Sequence, residues 1–101
     1  MTLKNRFSPT VRSLFAFRYS CDICGMNNNL ELHHILGTIS NSALNASLLC
    51  HKCHEKEDSG GDELKKKLLQ ATIRYLVSEK YEFTRKDILF YKKYQRYYSI
   101  D

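Results

Sequence analysis

Two short stretches, Cys21-Asp22-Ile23-Cys24-Gly25 and Cys50-His51-Lys52-Cys53-His54, contain all four cysteines of the chain and enclose the segment that decides its fold. Each is a Cys-x-x-Cys knuckle, and 25 residues separate the two. Paired thiols of this kind in a reducing compartment hold a metal more often than they form a disulfide. Four thiolates suit Zn(II), which takes soft ligands in a tetrahedron and has no redox chemistry of its own. The separation exceeds the ~15–20 residues of the common four-cysteine pattern, so a structured element is expected inside the loop. The central zone has few large apolar residues, so a metal is needed to tie its halves together. The competing readings are a thioredoxin-like redox pair, which would want a single knuckle in a strand–helix context, and four unligated thiols.

Inside the loop, Met26-Asn27-Asn28-Asn29 reads as a turn and Leu30-Glu31-Leu32-His33-His34-Ile35-Leu36 alternates in part, as a short strand does. Gly37 to Leu44 is a polar connection, Ala46-Ser47-Leu48-Leu49 is the returning strand, and a short helix runs from Cys50 to a stop at Ser59-Gly60-Gly61.

On the N-terminal side, residues 1–20 are expected to be helical, with Ser8 as N-cap and Pro9 in the first helical position. Val11, Leu14, Phe15 and Arg18 recur at helical spacing and form a stripe that must pack on something. On the C-terminal side, residues 62–101 predict two helices. Asp62 caps the first, whose apolar face carries Leu64, Leu68, Ala71 and Tyr75 beside Leu69, Ile73 and Leu76. The second opens on the capping box Thr84-Arg85-Lys86-Asp87, and Ile88, Tyr91, Gln95 and Tyr98 follow its period. The fold expected is therefore α+β: one domain over residues 1–101, with a small zinc-stabilised core at 11–58, an N-terminal helix and a basic, tyrosine-rich extension of two helices at 62–101.

The histidines add a second pattern. Glu31-Leu32-His33-His34-Ile35, followed by Asn45-Ala46-Ser47-Leu48-Leu49-Cys50-His51-Lys52-Cys53-His54, resembles the HNH endonuclease family, in the subgroup whose ββα-metal motif is braced by a four-cysteine zinc site. The resemblance covers roughly residues 11–58. It implies a structural zinc on Cys21, Cys24, Cys50 and Cys53. It further implies a catalytic divalent ion (Mg, Mn, Ni or Zn) on His33 and His54, His34 as the general base, and Asn45 holding the loop and the base in register. Asn41 is the fallback for that last role. Many members carry Asn where this chain has His54. The activity implied is hydrolysis of DNA to a 5′-phosphate and a 3′-hydroxyl, and small nucleases of this type are associated with phages and mobile elements.

The residue types suit that chemistry. On a helix His54 is turned about 100° from Cys53, away from the thiolates. One strand histidine and one helix histidine leave an ion with open coordination positions, as catalysis requires. An imidazole titrates near neutral pH and can take a proton from water. Adjacent strand residues face opposite sides, so His33 and His34 can serve one phosphate only if the strand ends or twists there. No third protein ligand is evident. Glu31 shares the strand face of His33 and can orient an imidazole, although a solvated pairing is the plainer reading. His51 fits an exposed surface role.

Length and charge narrow the partners. At 101 residues the chain has no room for the large catalytic scaffolds, and 43% apolar with 27% charged residues argues against disorder. Its longest apolar run, Leu14 to Phe17, is far short of the ~18 residues that span a bilayer. No apolar segment follows Lys4 and Arg6, so a cytosolic chain with no membrane partner is expected. The net charge of +5 favours a polyanion. Ten of the sixteen basic residues fall in 64–101. Lys65, Lys66, Lys67, Arg85, Lys86, Lys92, Lys93 and Arg96, with Arg74 and Lys80, can track a DNA backbone. Tyr91, Tyr94, Tyr97 and Tyr98 interleave with them and read mainly as packing residues; the same tail is open to use as a homodimer face. A non-catalytic zinc module that binds DNA, and an assembly factor using the aromatic tail, are the alternatives to the nuclease.

Overall fold

The computed structural model describes residues 7–16, 18, 20–27, 29–37, 39–58 and 61–98. Lys4, Arg6, Phe17, Asn28, Ser59 and Gly60, cited above, lie outside the described residues.

Among the described residues an antiparallel hairpin forms the centre. Strand β1 (Leu30–His34) pairs with β2 (Ala46–Cys50) in the register Leu30–Cys50, Leu32–Leu48, His34–Ala46. All five residues of β2 are buried: β1 pairs with one edge, the first knuckle closes the other, and α2 and α3 pack against the strand. At the knuckle edge Asp22 N donates to Leu48 O (2.7 Å) and Leu48 N donates to Asp22 Oδ2 (2.9 Å). Farther along the same edge Thr72 Oγ1 donates to Ala46 O at 2.7 Å.

Among the described residues four helices flank the hairpin: α1 (Pro9–Ala16), α2 (His51–Asp58), α3 (Gly61–Ser78) and α4 (Arg85–Lys93). Helix α1 starts as expected: Ser8 Oγ accepts from Val11 N at 3.2 Å, and Val11 and Phe15 are buried. It is shorter than the 1–20 expected, ending at Ala16. Arg18 leaves the helical stripe and pairs with Asp22 while its guanidinium lies 4.6 Å from the Tyr75 ring centre.

Helix α3 buries Leu68, Leu69, Thr72 and Leu76. It begins at Gly61, so Asp62 sits inside the first turn instead of capping it, and its Oδ1 accepts from the Tyr97 hydroxyl at 3.3 Å. The capping box of α4 forms as expected: Thr84 Oγ1 accepts from Asp87 N (3.3 Å) and Asp87 Oδ2 accepts from Thr84 N (2.8 Å). The face of α4 differs from expectation. Asp87 and Phe90 point inward, whereas Ile88 and Tyr91 are exposed, and the helix gives way at Tyr94 to a 3-10 turn over Gln95–Tyr98. A buried aspartate sets that face, and apolar periodicity does not register it.

Asp87 is the hub that joins α4 to the β1–β2 connection. Its Oδ1 accepts from Ser42 Oγ (2.6 Å) and Ala43 N (3.2 Å), and its Oδ2 from the Tyr81 hydroxyl (2.7 Å) as well as from Thr84. Burial pushes the carboxyl up, but the hydrogen bonds from Ser42, Thr84 and Tyr81 outweigh it, and its pKa lies below the ordinary aspartate value. A depressed carboxyl stabilises the fold above its unfolded pKa, and that stability is lost as pH falls through the folded value. Asp87→Ala would leave several donors without an acceptor, at about 1–3 kcal/mol for each buried one. Thermal melts at pH 7 should show a loss on the order of 3 kcal/mol, shrinking below pH 4 where the wild type loses the same contribution. An unchanged melting temperature at pH 7 would contradict this role.

Candidate metal centre

The first knuckle places Cys21 and Cys24 on a turn held by Cys21 N donating to Met26 O (2.7 Å) and Gly25 N donating to Cys21 O (3.0 Å). Gly25 has φ +80°, a left-handed conformation that favours glycine. The second knuckle spans a junction: Cys50 ends β2 and Cys53 lies in the first turn of α2. The four sulfurs all lie within 4.8 Å of one another, with Cys24 Sγ and Cys50 Sγ 3.7 Å apart. A tetrahedron with Zn–S bonds of ~2.3 Å has sulfur–sulfur edges of ~3.8 Å, so the spacing is that of a shared ion and far too long for a disulfide.

The electrostatics agree. Burial raises the Cys21 thiol, but backbone N–H groups of Cys24, Cys50 and Ile23 more than offset it and bring the pKa down to about 6. Cys53 is pushed up to about 12 by burial, by hydrogen bonds to the other cysteines and by the Cys21 charge. Four sulfurs this close cannot all ionise alone; a dication in their midst removes the repulsion. The chain therefore carries a four-cysteine cluster able to coordinate a metal ion within a small α+β fold. Among the described residues it is the one group of three or more His, Cys, Asp or Glu side chains whose ligand atoms all lie so close together.

The histidines distribute around this centre. His33, buried on β1, turns toward α2, where its ring centre lies 4.2 Å from that of His54 and its Nε2 contacts Glu57 Oε1. Glu57 is itself only 1% exposed, and its Oε2 accepts from Lys65 Nζ at 2.6 Å. Thus Lys65, expected on the DNA-facing surface, is engaged with a buried carboxylate. His54 Nδ1 pairs with Glu31 Oε1 at 2.9 Å. His51 is exposed, with Glu55 at 3.5 Å and Glu31 at 3.9 Å.

His34, the last residue of β1, has different neighbours. Its ring stacks on Phe7 (centres 4.0 Å apart, 13° between planes), and its Nε2 lies 3.0 Å from Asn41 Oδ1. An amide oxygen has no proton to give, so Nε2–H donates, and Nδ1 is the ring nitrogen outside this bond. Asn45, fully buried, holds the loop by backbone contacts: its Oδ1 accepts from Leu36 N (2.9 Å), and its Nδ2 donates to Gly37 O (3.0 Å) and Ser40 O (2.9 Å). Gly37, at φ +82°, makes that turn possible. The two asparagines thus divide the work, Asn45 pinning the loop and Asn41 meeting the imidazole.

Of the further basic residues, Lys67, Arg85, Lys86, Lys92, Lys93 and Arg96 are exposed and Lys66 is half-buried. Arg96 stacks over Tyr97, its guanidinium carbon 4.7 Å from the ring centre. Glu57 and Phe7 were not among the sequence candidates. Glu57 was within reach of it, since it stands three residues after His54 and so shares its side of a helix; no signal marks Phe7. No helix of the described residues is long and apolar enough to cross a membrane. Compared with protein-family models, curated proteins and solved structures, the chain matches none.

Proposed function

We propose that this chain is a metal-dependent endonuclease of the HNH type, hydrolysing phosphodiester bonds in DNA, with its four cysteines holding a structural zinc. The observation that carries the reading is the meeting of β1 and α2, where His33 lies against both His54 and the buried Glu57. Two imidazoles and a carboxylate form a donor set suited to Mg, Mn, Ni or Zn. His33 and His54 would hold that ion, with Glu57 as a candidate third donor. When bound, such an ion neutralises phosphate charge and supports the leaving oxygen.

The chain's own groups do the rest. His34 takes the proton of the attacking water on Nδ1, because Nε2 is committed to Asn41. Phe7 and Asn41 fix the plane and the tilt of that ring. Asn45 keeps the loop that carries Asn41 from drifting, and Glu31 fixes the rotation of His54.

A non-catalytic, zinc-containing DNA-binding module is the second reading. It is favoured by the fact that, among the described residues, the cysteines alone form a tight ligand group. Supercoiled plasmid incubated with Mg(II), Mn(II) or Ni(II) separates the two. The nuclease reading expects nicking that requires added metal, and a Mn(II) binding step in calorimetry that His33→Ala and His54→Ala each weaken by more than the about 10–100-fold typical of losing an outer-shell partner. DNA retention with no cleavage in any metal would establish the module instead. Failure to bind DNA at low salt would refute both.

A further inference from the structure

The β1–β2 connection that holds His34 through Asn41 is fastened to the start of α4 by Ser42 and Asp87. The first turn of α4 therefore flanks the proposed catalytic loop, and its exposed residues Arg85 and Lys86 separate two clefts. One, of about 450 Å³, has Asn41, Ser42, Arg85 and Lys86 in its walls together with Ser8 and Val11 at the start of α1. Asp87 also lines it, but both carboxylate oxygens are taken up by donors inside the fold. The other, of about 430 Å³, is bounded by Ile39, Ser40, Arg85, Lys86, Leu89 and Lys93.

The second cleft combines cationic and exposed apolar side chains. Three cations line it, and none of its described lining residues is acidic. Its apolar members are conspicuously outside the core: Ile39 is 62% and Leu89 58% exposed. Phe90 and Tyr94 complete the lining. Cations around an apolar floor complement a ligand with a flat uncharged face attached to anionic groups. A nucleotide has that shape, its base supplying the face and its phosphates the charge. A base stacked in continuous duplex has its faces covered by its neighbours and cannot enter such a cleft.

We propose that the cleft between the β1–β2 connection and α4 is a subsite for an unpaired nucleotide of the substrate strand, with Ile39 and Leu89 under the base and Arg85, Lys86 and Lys93 on its phosphates. The inference rests on the nuclease reading and extends it: the substrate is DNA with an unpaired stretch beside the cut, such as a flap, branch or single strand, in preference to unbroken duplex. Arg85 and Lys86 face both clefts, so the strand passes from the subsite across α4 toward Asn41 and His34.

Binding tests this without cleavage. Fluorescence anisotropy of the intact protein, with no added divalent ion, compares labelled oligothymidylate of about 16 nucleotides with a duplex of equal length. The single strand should bind about tenfold more tightly. The Ile39→Ser, Leu89→Ser double variant, altered at exposed positions, should lose that preference and keep its duplex affinity. Lys86→Ala should weaken both ligands and flatten the salt dependence. Equal or tighter duplex binding by the wild type would overturn the subsite, as would a preference that survives the double variant. So would displacement by poly-L-glutamate that is insensitive to the Ile39 and Leu89 changes, which would mark a surface for acidic proteins. Plasmid cleavage reports separately on the nuclease reading. Cleavage without strand preference removes the subsite alone; strand preference without cleavage in any metal leaves a binding site and removes the enzyme.

Discussion

Cys50→Ser should strip the protein of its tightly held metal and unfold the centre of the domain. Cys50 closes β2 opposite Leu30, immediately before the first turn of α2. Its sulfur is where the hairpin, the first knuckle and α2 meet. The knuckle contributes little burial of its own: Ile23, Cys24, Gly25, Met26 and Asn27 are exposed. A structural zinc supplies about 10–16 kcal/mol in small peptides, against a typical domain stability of about 5–15 kcal/mol. Serine occupies nearly the same space, so the change tests ligation and not packing. Metal analysis should find about one zinc per wild-type chain and a large deficit in the variant. Near-UV dichroism should collapse while part of the helical signal from α3 and α4 remains. A wild type that is metal-free and melts cooperatively would end the zinc assignment.

The parts of this fold that were legible beforehand are those encoded locally. Ser8 and Pro9 start α1, Thr84 and Asp87 start α4, and Leu30–Cys50 contains a hairpin bounded by its own knuckles, because caps, turns and short-range pairing depend on residues a few positions apart. The four-cysteine cluster was legible because a tetrahedral metal site demands a fixed ligand count and the two knuckles supply it. What escaped was set by tertiary contact. The inward face of α4 is centred on Asp87, a residue that polarity assigns to solvent and that Ser42 and Tyr81, 45 and 6 residues away, draw into the core. Ile88 and Leu89 then stay outside despite being apolar. Glu57 escaped for the same reason: a carboxylate enters the interior only when an imidazole and a lysine await it there, and those partners come from β1 and α3. The division between Asn41 and Asn45 needed the folded loop, since either amide could reach several groups until Gly37 turned the chain.

Under the proposed nuclease reading those two asparagines flank the general base, and the largest expected effect on activity lies beside them. His34→Ala should reduce metal-dependent cleavage by about 10²–10⁴-fold, the usual contribution of a positioned general base. Zinc content and melting temperature should hold, because the ring is only half-buried and lies at the end of β1, outside the four-cysteine cluster. His34→Gln should be nearly as inactive, since a glutamine can hydrogen-bond but cannot accept the proton of water at neutral pH. Asn41→Ala should lose less, about tenfold, because it frees the ring without removing it. The double variant decides the relation between the two. If Asn41 acts through His34, removing Asn41 from a chain that already lacks the imidazole costs nothing further, and the two losses are strongly non-additive. Losses that multiply would mean that Asn41 serves the substrate on its own account. Cleavage that survives His34→Ala would assign the proton to another group and leave the stacked, amide-bound imidazole a structural element of the loop.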